Sequence, residues 1–499
     1  MIPVPVEVEK NTKSVVVVFN RCEFVNFLYA SLTAILSALS FNFPFLSFFI
    51  WFSFVPFLFL LENLKGKSLF FYSFFVGSLF SLSTLFWIGY VTKLGLISLS
   101  FYLSFWWILF AFTAKYFISK CGEIYSIAFL WIIFEFLREN IGWGFGWLNL
   151  GYSQYLNTLI IQPADLVGTK FISWLIILCN LIIKKILREK RLIKEIFVFL
   201  GIIVFCLIYS NWRINTLTSQ EKIKITLIQP NILQEEKWNP EKREFILKKL
   251  KELTKKAPSD SLVIYPEASF PFVLEKTNFD KFKKFLKEIR RDTLWGVIEK
   301  EEGKFFNEAM LLDKEANLIE KYKKIKLVPF GEYVPLRNLF SFIPVINTIG
   351  DFSPGKKEVI FKYKDKRFSV LICFEDIFPF YVAQVSKKVD FLVNITNDAW
   401  FKGNPEAHQH LSILTLRSIE NRISSVRCAN TGISAMITPT GKIFTLKKAN
   451  REVFVEGIKT FFLPLRKKRS FYNKYPDIFV LLGVIFNFFV LVKGGERCS

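Results

Sequence analysis

The sequence predicts a multi-pass α-helical membrane bundle of about eight transmembrane helices, joined to an α/β layered domain outside the cytoplasm. Three observations predict it. Apolar runs approaching the roughly 20 residues needed to cross a bilayer recur from residue 24 to 210 and return once near 475–492. Between them, short β-type runs end in polar or turn residues and are interleaved with amphipathic helical patterns. Lysine and arginine gather in alternate loops of the apolar part, which orients it.

The composition agrees. At 499 residues the chain has room for two or three domains. Hydrophobic residues make up 52%, with 59 phenylalanines, and the mean hydropathy is +0.33. That is too apolar for an ordinary soluble protein and points to lipid contact. The formal charge of +23 does not indicate nucleic acid, because the lysines are dispersed and no nucleic-acid motif occurs. Membrane-flanking cations and a basic soluble part, attracted to anionic headgroups, account for it better. The seven cysteines (22, 121, 179, 206, 373, 428 and 498) form no CxxC pair, so neither a zinc site nor a disulfide framework is expected.

In chain order, residues 1–23 read as a cytoplasmic segment and 24–210 as a membrane domain. Its spans fall near 24–41, 43–61, 68–92, 95–117, 122–137, 165–183 and 193–210. The first is not a signal peptide, since no small-residue cleavage site follows and the apolar runs continue. With the N-terminus inside, the inner side carries Lys10, Lys13, Arg21, Lys65, Lys67, Lys115 and Lys120. It also carries Lys184, Lys185, Arg188, Lys190, Arg191 and Lys194, then Lys493 and Arg497. The outer loops among the first seven spans hold only Lys93, Arg138 and Lys170. Residues 211–465 then lie outside, and 466–499 supply an eighth span at 475–492 and a short inner tail. "RKKR" at 466–469 runs against this orientation.

Within the outer domain the β-type runs are "IKITLIQP" (223–230), "SLVIYPE" (261–267), "TLWGVIE" (293–299), "RFSVLIC" (367–373), "DFLVNIT" (390–396) and "ISAMITP" (433–439). Helical patterns occupy 241–255, 278–291 and 407–422. Three regions at strand ends can carry chemistry. Glu267 closes an apolar strand, where desolvation would make a carboxylate a general base near neutrality. Lys321, Lys323, Lys324 and Lys326 form a basic run. Cys373 sits straight before Glu375 and Asp376, which push a thiol pKa the wrong way for a nucleophile. The usual helper is histidine, but the chain has only two, His408 and His410, adjacent on one segment. A lysine near the thiol would favour the thiolate, offset the acids and stabilise an oxyanion. Singly, each residue is also explained as packing, an ion pair or a solvated face; their joint occurrence carries the reading.

The wording around them adds a resemblance. "YPEASFPF", "YKKIKLVPFGEYVP", "LICFED" and "LVNITNDAWF" followed by "HQH" stand in the order seen in carbon–nitrogen hydrolases of the nitrilase superfamily. With "EFLRENIGWGFGWLNLGYSQ" (135–154) and "QPADLVGT" (162–169), nearly the whole chain resembles the apolipoprotein N-acyltransferase family of the bacterial inner membrane. The resemblance implies a nitrilase-like αββα sandwich on the periplasmic side. It carries the general base to Glu267, the nucleophile to Cys373 and the catalytic lysine to Lys324, two residues after Tyr322. Glu332 and Glu375 match carboxylates that orient these three, and Trp238 matches an aromatic near the substrate. Two departures are Lys326, where the family often has His, and Phe374, where Tyr is common.

Four further features have plainer readings. His408 and His410 lack a third ligand, so no metal is expected. Asn397 and Asp398 shape the loop beside the site, and Glu135 pairs with Arg138 on one helix. The apolar stretch 335–350 is either core packing or, as preferred, a lid dipping into the outer leaflet. The resemblance further implies transfer of an acyl chain from membrane phospholipid, through a cysteine thioester, to a diacylglyceryl apolipoprotein. No cofactor and no nucleic acid are expected, and the protein is expected to be a monomer. A membrane-tethered amidase, or a transporter or sensor with a ligand-binding domain, are the alternatives.

Overall fold

The computed structural model describes residues 21–120, 124–142, 144–190, 194–217, 221–340, 350–402, 404–466 and 468–496. Lys10, Lys13, Arg191, Lys467 and Arg497, Cys121 and Cys498, and most of the apolar stretch 335–350 lie outside the described residues.

Helical segments stand at all eight expected positions. They are Arg21–Asn42, Pro44–Asn63, Gly66–Thr84, Lys93–Lys120, Ile124–Asn140, Thr169–Glu189, Lys194–Thr216 and Ile478–Glu496. Among the described residues, four are long and apolar enough to cross a bilayer: Arg21–Asn42, Pro44–Asn63, Lys93–Lys120 and Lys194–Thr216. Lipid offers no hydrophobic drive for helices to associate, so close packing and hydrogen bonds must hold them. Gly77 illustrates this: a Cβ there would sit 2.8 Å from the Ser104 Cα on the neighbouring helix. Beside it the Ser78 and Ser104 hydroxyls meet at 2.8 Å.

The α/β part is two sheets sandwiched between helices. The first sheet contains β1 (Lys222–Gln229), β2 (Leu262–Ile264), β3 (Val273–Leu274), β4 (Thr293–Glu301), β5 (Lys304–Leu312) and β6 (Leu318–Lys323). The second contains β7 (Phe361–Tyr363), β8 (Lys366–Ile372), β9 (Phe391–Thr396), β10 (Ser424–Ala429), β11 (Ala435–Ile437) and β12 (Ile443–Thr445). The last strand, β13 (Gly457–Pro464), crosses back to pair antiparallel with β1. The orders are β13-β1-β2-β4-β5-β6, with β3 on β4, and β12-β11-β10-β9-β8-β7. Alternation along each strand sends one row of side chains inward and the next outward. Ile225, Leu227, Val370, Ile372, Val393 and Cys428 fill the space between the sheets. Outward rows pack under helices on each side. Helix Phe279–Ile289 buries Phe282, Phe285, Leu286 and Ile289, the spacing of a single apolar face.

Helix Asn404–Asn421 joins the two parts. Gln409 accepts from the indole N–H groups of Trp87 at 3.2 Å and Trp147 at 2.9 Å, and donates to Asn42 Oδ1 at 3.0 Å. Arg417 donates to the Tyr152 hydroxyl at 2.6 Å, and Glu420 accepts from the Thr169 N–H at 2.8 Å. Just past the helix, Arg422 reaches Asp165 at 2.8 Å. These groups are buried, where a charge without a partner costs several kcal/mol, roughly, so the α/β part is held in one orientation.

The expected pairing of Glu135 with Arg138 is not what forms. Glu135 accepts from Trp131 Nε1 at 2.9 Å and from the Leu150 N–H at 2.8 Å, and it faces Lys170 at 3.7 Å. Arg138 donates to Asn149 Oδ1 at 2.8 Å and to the Phe145 carbonyl at 3.1 Å. Both residues are used to fold the segment 144–154, which offers closer partners at Phe145, Asn149 and Leu150.

Candidate active site

Three strands of different origin end at one place. β6 stops one residue before Lys324, β8 stops one residue before Cys373, and β2 runs out shortly before Glu267. A side chain just past a strand end leaves the ladder and is free to turn into the space between the sheets' edges. Glu267 is delivered by a tight crossing over β4. A Cβ on Gly296 would lie 2.6 Å from the Glu267 Cα and closer still to the Pro266 carbonyl oxygen. Ala268, the next residue, takes a left-handed φ of +46°. Gly296→Ala should therefore push Glu267 out of register and slow acyl transfer about 100-fold, the usual consequence of a displacement near 1 Å. Turnover of the folded variant checks this.

Around Lys324 the charges are arranged tightly. Its ammonium lies 2.8 Å from Glu332 Oε1 and 3.8 Å from Glu267 Oε1. The Asn307 amide bridges the two carboxylates, at 2.6 Å from Glu267 and 3.1 Å from Glu332. The Asn397 N–H donates to Glu267 Oε2 at 3.0 Å, and the Val328 N–H to Glu332 Oε2 at 2.8 Å. Burial works against the Lys324 ammonium, but Glu332, Glu267 and Cys373 outweigh it and hold its pKa above the ordinary lysine range. Lys324 is thus a fixed positive charge. Its neighbours are otherwise engaged: Lys321 pairs with Glu299 at 2.6 Å, Lys323 with Glu301, and Lys326 is exposed over the Phe378 ring.

Cys373 opens the turn Cys373–Ile377 with φ +52°, left-handed backbone that non-glycine residues adopt at a cost. The cause is legible in Glu375, whose carboxylate gathers four donors. It accepts from the N–H groups of Ile372 (2.8 Å), Ile325 (2.8 Å) and Lys326 (3.0 Å), and from the Tyr322 hydroxyl (2.7 Å). One buried side chain so ties the end of β8 to the end of β6. Burial pushes the Cys373 thiol well up, Glu267 adds to this, and Lys324 and a hydrogen bond to Thr396 only partly oppose it. Lys324 does favour the thiolate, in the expected direction, but burial and Glu267 outweigh it and the thiol is held protonated.

The two halves of the chain match two family descriptions. Residues 33–182 match that of the apolipoprotein N-acyltransferase N-terminal domain, and residues 224–458 match that of carbon-nitrogen hydrolases. The chain is similar to an apolipoprotein N-acyltransferase of Geobacter metallireducens, 32% identical over 489 residues, 91% of this chain and 92% of that protein. The chain belongs to the apolipoprotein N-acyltransferase family. A second relative of that name, from Rickettsia prowazekii, is 29% identical over 74% of this chain and 76% of that protein. Among solved structures, the NitN amidase of Neterenkonia sp. AN1 covers 48% of this chain and 93% of its own, at 16% identity and a TM-score of 0.36.

In this N-acyltransferase-family chain the site has polar partners that sequence reasoning missed. Asn307, Asn394, Arg427 and Lys237 are all buried, and none carries a motif of its own. Their signal is faint: a polar residue at an inward or outward position of an otherwise apolar strand. Asn397 and Asp398 do line the site, the first through Glu267 and the second through Arg427 at 2.9 Å. Asp398, Glu406 and His410 cluster tightly enough to suggest a cation site. Arg427 already supplies a permanent cation there, so the residues fit an arginine-centred network better than a metal. Burial works against the Asp398 carboxylate, but Arg427 and His410 outweigh it and hold its pKa below the usual range.

Trp238, the expected substrate-side aromatic, is exposed at the rim, and its neighbour Lys237 is buried. The Lys237 ammonium donates to the Glu267 carbonyl oxygen at 3.2 Å. Burial pulls its pKa down to about 8, against the opposing pull of the Glu267 carboxylate. Between pH about 8 and 10.5 the unfolded chain therefore binds more protons than the folded one, and stability rises with pH across that window. Lys237→Met should flatten this rise, which amounts to roughly 3 kcal/mol. Melting temperature against pH, measured on detergent-solubilised protein, checks it.

Proposed function

We propose that this protein N-acylates the N-terminal diacylglyceryl-cysteine of apolipoproteins, with a membrane phospholipid as acyl donor and a Cys373 thioester between the two half-reactions. Family membership supports the substrates. One observation supports the chemistry: buried Glu267 and Lys324 both act on the thiol of Cys373, and the next residue, Phe374, belongs to the apolar core of the membrane helices. The reacting sulfur thus stands where a lipid ester can reach it by lateral diffusion.

In the first half-reaction Glu267 takes the thiol proton as sulfur attacks the sn-1 ester carbonyl. The tetrahedral oxyanion rests on Lys324 and on the N–H of Phe374, the second residue of the turn, where first-turn N–H groups have no partner within the turn. Collapse expels the glycerol oxygen, which takes the proton from Glu267 and leaves as lysophospholipid. In the second half-reaction the neutral α-amino group of the acceptor attacks the thioester and yields a proton through Glu267. Sulfur leaves and takes that proton from Glu267 to become the thiol again, and the amide product departs. Glu332 keeps Lys324 in place, Glu375 keeps the strand ends together, and Trp238 borders the substrate.

The topology belongs to the same proposal: 1–23 in the cytoplasm, 24–210 as seven spans, 211–465 as the periplasmic catalytic domain and 466–499 as the eighth span and tail. The distribution of cations supports it. Lys184 and Lys185 pair with Glu62 and Glu195 at one end of the bundle, while the α/β part is tied on near Asn42, Thr84 and Asp165, toward the other. Mass spectrometry of the purified protein incubated with phospholipid alone tests the reaction. An acyl adduct on Cys373, released by hydroxylamine and by a diacylglyceryl-cysteine peptide, is expected. Release by water as fast as by the amine would instead make the protein a membrane-tethered hydrolase.

A further inference from the structure

The carbonyl oxygen of Cys373 points away from the substrate side into a buried polar network that the reaction just described does not use. Two side chains reach it. The Asn394 amide Nδ2 donates at 3.1 Å, and His410 Nε2 lies 3.3 Å away. Both are buttressed by one residue. Arg427 Nη1 donates to Asn394 Oδ1 at 2.7 Å, and Arg427 Nη2 lies 2.8 Å from His410 Nδ1 and 2.9 Å from Asp398 Oδ2. Ladder register explains the first arm, since Arg427 on β10 is paired directly with Asn394 on β9 and both side chains leave the same face. Helix Asn404–Asn421 brings the second arm down onto that face, and Arg427 is completely buried beneath it.

The guanidinium also decides the histidine tautomer. Arginine has only donors, so a ring nitrogen 2.8 Å from it must accept. The His410 proton is then on Nε2, the nitrogen that faces both the Cys373 carbonyl and Asp376 Oδ1, the latter at 3.1 Å. Burial and Arg427 oppose a second proton on the ring, but Asp376 and Asp398 outweigh them and hold its pKa above the usual histidine range; a doubly protonated ring still donates from Nε2. A protonated Nδ1 would set two donors face to face, and Glu406 Oε1 and Asp398 Oδ1 are farther from Nδ1, at 3.4 and 3.8 Å. In either protonation state the Nε2–H donor faces the Cys373 carbonyl and Asp376.

We propose that Arg427 is a positioning residue for acyl transfer: through Asn394 and His410 it presents two donors to the Cys373 carbonyl and so holds the left-handed backbone from which the sulfur attacks. The strain at φ +52° has to be held by neighbouring bonds. Glu375 holds the peptide from the strand side, and the Arg427 fork holds it from below. Relaxation of that one residue would swing Sγ away from Glu267 and turn the Phe374 N–H off the oxyanion. The inference rests on Cys373 being the nucleophile, and it adds a constraint that Glu267 and Lys324 do not supply.

Rapid-quench measurement of the Cys373 acyl adduct against phospholipid concentration, on the full-length protein in mixed micelles, separates binding from chemistry. Asn394→Asp keeps shape and the arginine contact but removes the donor; His410→Phe removes the other. Each should lower the maximal acylation rate on the order of 100-fold with half-saturation unchanged. His410→Gln, whose amide can stand in for Nε2–H, should recover most of the loss. Arg427→Lys, which cannot bridge both arms, should lose no less than either arm alone. Wild-type acylation rates in folded Asn394→Asp and His410→Phe, or losses that appear only in half-saturation, would overturn the proposal. An absent adduct on Cys373 in the unsubstituted protein would instead overturn the acyl-transfer reading itself.

Discussion

Glu267→Gln is expected to slow formation of the Cys373 acyl adduct by a factor of about 10²–10⁴ while leaving the protein folded. The amide can keep one native bond, accepting from the Asn397 N–H, so the loop is held. On its other side it presents an N–H₂ group to Asn307 Nδ2 and to Lys324, which are also donors. More important, the proton acceptor is gone from a site whose thiol is strongly protonated at rest. The same substitution removes a negative charge that raises the Cys373 pKa. Alkylation of Cys373 by iodoacetamide should therefore begin at lower pH in the variant, even as acylation collapses. Opposite movement of these two readouts marks Glu267 as a base rather than as a packing group. Parallel movement would remove that role.

Lys324→Ala has the largest expected effect on both activity and stability. It leaves buried Glu267 facing half-buried Glu332, with only the Asn307 amide shared between them. Removing one partner from a buried ion cluster costs about 3–5 kcal/mol. Loss of the oxyanion's positive charge should lower acylation about 10²–10³-fold. Adding Glu332→Gln separates the two effects, because it relieves the carboxylate pair without restoring a cation. The double variant should regain melting temperature but not acylation. Recovery of acylation in the double variant would show that the lysine serves the fold alone.

Much of the site was legible because strand ends announce themselves. In "VIYPE" and "VLICFED" an apolar β-type run breaks at a charged or nucleophilic residue, and Glu267 and Cys373 stand at those breaks, whereas Lys324 lies in a basic run. The choice of Lys324 from a run of four lysines came from the family resemblance, and the structure gives its physical counterpart: Lys324 is buried against two carboxylates. The strands at 273–274, 304–312, 318–323, 361–363, 424–429, 443–445 and 457–464 were missed; "LIEKYK" carries too many charges for a local signal. β6 forms because β5 offers it a ladder, which a local window cannot register. The expected ion pair of Glu135 and Arg138 failed for a related reason. Helical spacing reports only which residues could meet, and a folded loop offered each a better partner.

Periodicity, apolar length and cation placement are properties of the chain alone, and they were enough for a helical membrane part and an α/β part; the choice of Glu267, Lys324 and Cys373 as a set needed the family resemblance. Tertiary structure alone decided the charge balance at Lys324 and Cys373 and the neighbours that hold all three side chains. Asn307, Asn394 and Arg427 act on groups 40, 21 and 17 residues away along the chain. The state of the Cys373 thiol is a balance among burial, Glu267 and Lys324 that exists only once water has been excluded. Local pattern depends on adjacent residues, whereas electrostatics in a low-dielectric interior depends on whatever the fold brings within a few ångströms.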